Sequence, residues 1–186
     1  MPARDAFNLR PMAEQDLRTV WRWRNSERVR AVSFADHEIA WEEHLAWYER
    51  SKEDDSVQPM LFECGANATG VVNFTRIDRQ VGTTVWGFYI GDQQAPKGSA
   101  STMGVLALDY AFGELGLRKV LGQSFVSNEV SLRYHQRLGF REVEEERRRV
   151  RKRGKMHEVM RLELTAEWWR DLRPSLEQRL FSEVRA

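Results

Sequence analysis

The sequence predicts a single α/β (α+β) domain in which helices flank a mixed, mostly antiparallel sheet, and three observations carry that prediction. Three β-rich runs at 58–64, 69–78 and 82–91 are separated only by short turns, the pattern of an antiparallel meander. After Ile90 the chain reads strand, loop, helix, strand, which sets helices beside the sheet. The length of 186 residues fits one domain of roughly 100–200 residues.

Each element follows from its local pattern. Phe7 to Met12 alternates weakly and contains Arg10-Pro11, which suits a short edge strand because proline donates nothing to a ladder. Leu17, Val20, Trp21 and Arg24 recur at helical spacing, so an apolar stripe ends in an arginine. Between Glu38 and Arg50 a second helix carries Trp41, Leu45 and Tyr48 on one stripe and Ala40, His44 and Trp47 on its neighbour. In the meander, Asn73, Thr75 and Ile77 share one face while Val72, Phe74 and Arg76 share the other. Met103, Leu106, Ala107, Tyr110 and Ala111 mark the buried side of a helix that Gly116 closes, and a strand begins at Val120. A helix from about Asn128 to Leu138 ends at Gly139-Phe140. The arms 141–150 and 156–164 form a hairpin around Arg153-Gly154, and its run EEERRRVRKR reads as cross-strand charges on an exposed sheet. Trp168 opens a C-terminal helix.

Composition excludes several classes. Lys+Arg 29 against Asp+Glu 28 leaves a net charge of +1, too little for the broad positive field of sequence-independent nucleic-acid binding, so no nucleic acid is expected. The charged start MPARDAFNLR lacks the apolar run of a signal peptide, and no stretch approaches the ~18 apolar residues of a span, so no membrane is expected. Cys64 stands alone, which leaves no internal disulfide and no zinc cluster; no metal and a cytoplasmic location are the expectations.

The chemistry concentrates in two places. Ala95-Pro96-Lys97-Gly98-Ser99-Ala100-Ser101-Thr102 enters a helix directly after a strand. Small residues there let a ligand approach the backbone, free N–H groups of a first helical turn bind anions, and Lys97, Ser99, Ser101 and Thr102 add charge and hydroxyls. A diphosphate fits. The second place is Asn128-Glu-Val-Ser131-Leu-Arg-Tyr134-His135-Gln-Arg137-Leu-Gly139-Phe140.

This second motif, after the first, resembles the GNAT N-acetyltransferase superfamily, and the resemblance runs from about Asn8 to Trp168. It implies a GNAT-like sheet with two splayed parallel central strands, a domain at 7–168 followed by a C-terminal helix and tail at 169–186, and acetyl-CoA as donor. The family's loop R/Q-x-x-G-x-G/A, which binds the coenzyme A diphosphate, is met by Ala95-Pro-Lys-Gly98-Ser-Ala100, with Ala95 departing from the pattern. By this resemblance Ile90, Lys97, Gly98, Ser99, Ala100, Ser101, Thr102, Asn128, Ser131 and Arg137 bind the coenzyme. His135 stands where the family usually has the tyrosine that protonates the leaving thiolate, so His135 is expected as the acid, with Tyr134 as its rival.

The segments LRPMAEQDL, VWRWRN, EIAWEEHLAWY, GVVNFTRID and WGFYIG are similar to the branch holding ribosomal-protein alanine acetyltransferases and pseudaminic-acid pathway sugar acetyltransferases, most like the second. That likeness implies a nucleotide-sugar acceptor of the UDP-4-amino-4,6-dideoxy-N-acetyl-altrosamine type. Arg24, His44, Asn73, Thr75, Arg76, Trp86 and Tyr89 are then the expected acceptor contacts, with Arg24 meeting the substrate diphosphate, and the protein is expected as a monomer or homodimer. Peptide N-terminal acetylation and a catalytically silent acyl-CoA-binding module are the alternatives.

Overall fold

Alternation of apolar residues builds the sheet from both ends of the chain. The computed structural model describes residues 4–143 and 147–181. Its strands are β1 (Phe7–Pro11), β2 (Gln58–Cys64), β3 (Asn67–Asp78), β4 (Thr83–Ile90), β5 (Lys119–Phe125), β6 (Arg141–Glu142), β7 (Arg148–Lys152) and β8 (Lys155–Thr165). They lie in the order β1-β2-β3-β4-β5-β8-β6, with β7 also on β8. Every pairing is antiparallel except β4 with β5.

The parallel pair follows from the long crossover through helix α4 (Ser99–Asp109), since a tight turn cannot return a strand in the same direction. β4 and β5 pair at only three positions, Thr83 with Lys119, Thr84 with Val120 and Val85 with Leu121. Beyond them, from Trp86 and Gly122 onward, the two strands have no mutual pairing. This is the splayed centre expected from the family likeness.

Side chains alternate across the sheet and fill two layers. On one face Met60, Phe62, Val72, Phe74 and Trp86 pack with Met103, Val105 and Leu108 of α4, Tyr134 and Leu138 of and beside α5 (Glu129–Arg137), and Trp169 and Leu176 of α6 (Ala166–Phe181). On the other, Leu61 and Val71 meet Leu17 and Val20 of α1 (Leu17–Asn25) and Tyr48 of α3 (Trp41–Glu53), with Trp23, Trp41, Trp47 and Tyr89 around them. Ser26 breaks α1 from α2 (Glu27–Val32): its backbone is extended and its hydroxyl accepts from the Val29 N–H, the geometry of an N-cap.

Two expectations change in the hairpin. The first arm is not continuous but is divided into β6 and β7, both on β8, and the acidic part of the charge run, residues 144–146, lies outside the described residues. Lys152, expected among exposed charges, is only 5% exposed. Its ammonium donates to the carbonyls of Arg30, Ala31 and Ser33 at 2.9, 2.7 and 2.5 Å, satisfying the C-terminal acceptors of α2. A cation at the negative end of a helix repays part of its desolvation.

Candidate active site

The donor side is framed by two helix N-termini. α4 follows β4 and α5 follows β5, so both begin at the C-terminal edge of the parallel pair and aim their positive dipole ends at the mouth of the splay. Gly98 starts α4 at φ 92°, ψ −12°, a left-handed conformation that glycine adopts without the strain a Cβ would add. Its carbonyl accepts from the Thr102 N–H at 3.0 Å. Ala100 and Ser101 have no helical carbonyl four residues back, which leaves their N–H groups for an anion.

The hydroxyls here differ in role. Ser99 is buried and its Oγ donates to the Pro96 carbonyl at 2.7 Å, closing the loop onto itself. Thr102 is fully buried and its Oγ1 has no partner, so a polar group is held in reserve at the helix start. Lys97 is exposed beside it. These features fit coenzyme A: a glycine-led turn, two unspent N–H groups, a buried unpaired hydroxyl, and an unpaired strand edge between Trp86 and Ile90 along which an amide-bearing arm can lie.

Asn128 caps α5, its Oδ1 accepting from the Ser131 N–H at 3.1 Å. Arg137 is exposed on the outer face of the same helix, next to Arg133 and Val130. Tyr134 bridges the two helices by donating its hydroxyl hydrogen to the Ala100 carbonyl at 2.6 Å, and Gly104 leaves room for that hydroxyl. Burial raises the Tyr134 phenol well above its ordinary range.

His135 is held differently from the expected acid. It is 2% exposed, ringed by Trp86, Phe88, Tyr134 and Phe140. Its Nδ1 lies 2.8 Å from the Ser131 carbonyl, which can only accept, so Nδ1 carries the hydrogen and Nε2 is left as acceptor for the Trp86 indole N–H at 3.3 Å. Burial pushes its pKa down to about 4. At neutral pH the ring is therefore a neutral imidazole with both nitrogens engaged, and the imidazolium expected from the sequence is not formed.

The acceptor candidates divide between the two faces of the sheet. Asn73 and Tyr89 share the face towards α1 and α3, where Asn73 is opposite Gly87 in register. Gly87 lies mid-strand in β4 yet is exposed, and a Cβ placed on it would meet nothing within 4 Å. A cleft thus reaches the centre of the sheet, with Gly87 as floor, directly where β4 leaves β5. Asn73 Oδ1 is buried without a partner. Arg24, at the end of the α1 stripe, interacts with the buried Tyr89 phenol, which desolvation raises. One arm of its guanidinium, Nη2, donates to the Ala35 carbonyl at 3.1 Å, while Nη1 is buried with no partner.

The remaining candidates stand apart. Trp86 faces the opposite side of β4, 3% exposed and stacked on Phe140, so it is a core residue and cannot touch an acceptor over Gly87. Thr75 is spent on the Val85 carbonyl at 3.1 Å. Arg76 sits in a bulge at φ 52°, exposed. His44 is 4% exposed between Trp41 and Trp47, its Nε2 without a partner and its pKa lowered by burial.

Sequence reasoning missed Gly87, although an isolated glycine inside a strand pattern signals close approach of something else. It also missed Gly91, over which the Trp23 indole lies so closely that any Cβ would collide with it, while Arg28 donates to the Gly91 carbonyl at 2.9 Å. Among the described residues no group of three or more His, Cys, Asp or Glu could hold a metal, and no helix is long and apolar enough to cross a membrane.

The model of the acetyltransferase (GNAT) domain matches residues 7–141. The chain belongs to the GNAT acetyltransferase family. It is accordingly an acetyl-CoA:amine N-acetyltransferase, which removes the silent-module alternative. Among relatives, the spermidine N(1)-acetyltransferase of Escherichia coli K12 is 28% identical over 140 residues, 75% of each chain. A prophage-derived uncharacterized N-acetyltransferase of Bacillus subtilis is 28% identical over 123 residues, 65% of this chain and 68% of that one. The fold is that of the spermidine N-acetyltransferase of Vibrio cholerae solved with CoA and spermine, with a TM-score of 0.79 at 21% identity over 89% of this chain and 98% of that one.

These findings correct two expectations. Polyamine acetyltransferases stand where the sequence reading placed nucleotide-sugar enzymes, so the UDP-amino-sugar acceptor is withdrawn, and with it the diphosphate partner assigned to Arg24. The monomer-or-homodimer expectation is withdrawn as well: the Vibrio cholerae enzyme of this fold has been solved as a dodecamer, at a TM-score of 0.70.

Proposed function

We propose that the protein acetylates a terminal primary amine of a polyamine such as spermidine. The observation that carries this reading is an unspent acceptor, Asn73 Oδ1, at the base of the cleft, beside an acidic stretch of chain tied to α1. Residues 27–43 contain five acidic side chains (Glu27, Asp36, Glu38, Glu42, Glu43) and two arginines, a balance of two minus five, or −3. Both arginines donate to backbone carbonyls, Arg28 to Gly91 and Arg30 to Asp36. Asn25 and Trp21 fasten this segment to α1 through Ile39, alongside Arg24 and the cleft. An extended polycation meets negative charge at the entrance and a hydrogen-bond acceptor, Asn73 Oδ1, at the base.

Acetyl-CoA would supply the acetyl group as a thioester, with coenzyme A leaving as the free thiol. Lys97, Gly98, Ala100, Ser101 and Thr102 would hold its diphosphate, and Asn128, Ser131 and Arg137, at the start of and on α5, would flank its other side. The open edge of β4 ending at Ile90 would take its arm and offer a backbone N–H to the thioester oxygen. Asn73 Oδ1 accepts one N–H of the acceptor amine and so aims the nitrogen lone pair at the carbonyl carbon. Tyr134, which lines the splay between Phe88 and Ala100, would turn its O–H from the Ala100 carbonyl to the leaving sulfur once the coenzyme is seated, give up its proton there and be reprotonated from solvent through the splay; His135 positions Trp86 and the aromatic wall. The proton lost by the amine goes to water. The cytoplasm, where the acetyl donor and polyamines coexist with reduced thiols such as Cys64, is the compartment in which we place the reaction.

The test is thiol release from acetyl-CoA with spermidine, spermine and a peptide bearing a free N-terminal alanine. The reading expects turnover with the polyamines and little with the peptide. Preference for the peptide would overturn it.

A further inference from the structure

The family reaction needs a neutral amine, yet an alkylammonium has a pKa near ~10.4 and is almost wholly charged at neutral pH. Among the described residues the acid–base groups of α3 are otherwise held: Glu43 pairs with His37 at 3.1 Å and His44 is enclosed between two indoles. What does border the cleft is a cation. Arg24 ends an otherwise apolar helical stripe, is held by Ala35, interacts with Tyr89, and keeps Nη1 buried and unpaired.

We infer that Arg24 takes the place of a general base: its guanidinium, fixed beside Tyr89, excludes the ammonium form of the acceptor from the floor over Gly87 and admits the neutral amine. This deepens the polyamine reading and rests on it. The charged and titratable groups facing Arg24 are Tyr89 of β4, Arg30 of α2, Glu43 of α3 and Lys152 of β7. With Tyr89 neutral, the described cations Arg24, Arg30, Lys152 and Arg153 outnumber the carboxylates of Glu43 and Asp36, so the local field is positive although the segment outside is acidic. The distal ammonium groups of a polyamine stay at the rim, and the proximal one sheds its proton to solvent as it enters. Neutral amine then donates N–H to Asn73 Oδ1, the acceptor atom that is unpaired there. In general a like charge within roughly 4–6 Å in a partly buried site lowers an amine's pKa by about two units.

Calorimetry on the enzyme saturated with coenzyme A, titrated with spermidine at pH 8.5 in buffers of different ionisation enthalpy, reads the proton directly. Wild type should release about half a proton per polyamine bound, given a two-unit shift. Arg24→Gln, which keeps a donor for the Ala35 carbonyl but loses the charge, should release almost none, and Arg24→Lys should retain release. In parallel, the acid limb of the kcat profile should move up by one to two pH units in Arg24→Gln, with about a tenfold or greater loss at pH 7 that recovers at high pH. Binding without proton release in wild type, or an Arg24→Gln profile lowered evenly at all pH values, would overturn the inference and leave Arg24 a structural clamp. Absence of any spermidine binding would instead overturn the polyamine reading.

Discussion

Replacing His135 with glutamine should remove part of the protein's acid sensitivity. In the native state burial holds the imidazole pKa near 4, whereas in the unfolded chain it returns to about 6.5. Between those values the unfolded state binds a proton that the native state refuses, so stability falls as pH drops from 6.5 to 4 and is unaffected by this group above 6.5. The width of about 2.5 units at 1.36 kcal/mol per unit corresponds to about 3 kcal/mol over the window. Glutamine cannot titrate, and its side-chain oxygen can still accept from the Trp86 indole. Urea unfolding followed by tryptophan fluorescence at pH 7, 6, 5 and 4.5 measures the effect as a difference between the two proteins' slopes, which cancels the carboxylates they share. Wild type should lose about 2–3 kcal/mol more than His135→Gln on going from pH 7 to 4.5. Parallel curves would refute the reasoning and mean that His135 is solvated, chargeable and available as a proton donor after all.

Three further outcomes follow from the site. Gly98→Leu, which forces a branched side chain into φ 92° and covers the α4 amides, should weaken coenzyme A binding at least tenfold by calorimetry while the protein stays folded by circular dichroism. Tyr134→Phe should lower kcat by roughly 10²-fold, against a change of only a few-fold in His135→Gln, when thiol release is followed at saturating substrates. Gly87→Val fills a space that is empty above the strand, so it should raise the KM for amine strongly and leave coenzyme affinity unchanged.

Local patterns made much of this structure legible. β2 runs from Gln58 to Cys64 as its alternation and flanking turns require, and the chain's glycine-led helix entry at Gly98 needs no distant partner to be recognised. Asn128 caps its own helix, an interaction of three residues' span. What escaped were features made by residues far apart in sequence. The Trp86–His135 pairing joins residues 49 apart and turns an expected acid into a neutral core group. Lys152 finds its carbonyls about 120 residues away, so periodicity alone leaves it among exposed charges. Arg24 was visible as the odd member of its stripe, because burying a cation demands an explanation, but the explanation lay in Ala35, Tyr89 and the empty floor at Gly87. Likewise Trp86 and Tyr89 were both expected at the acceptor, and the packing of α4 and α5 on one face of β4 and of α1 and α3 on the other separates them.

The most direct test of the account is a crystal structure of the enzyme with coenzyme A and spermidine bound together. The account predicts the coenzyme arm between β4 and β5, its diphosphate on the Gly98–Thr102 turn, and a terminal spermidine nitrogen over Gly87 within hydrogen-bonding distance of Asn73 Oδ1. A polyamine nitrogen seated elsewhere than over Gly87 when the coenzyme is in the splay would contradict it.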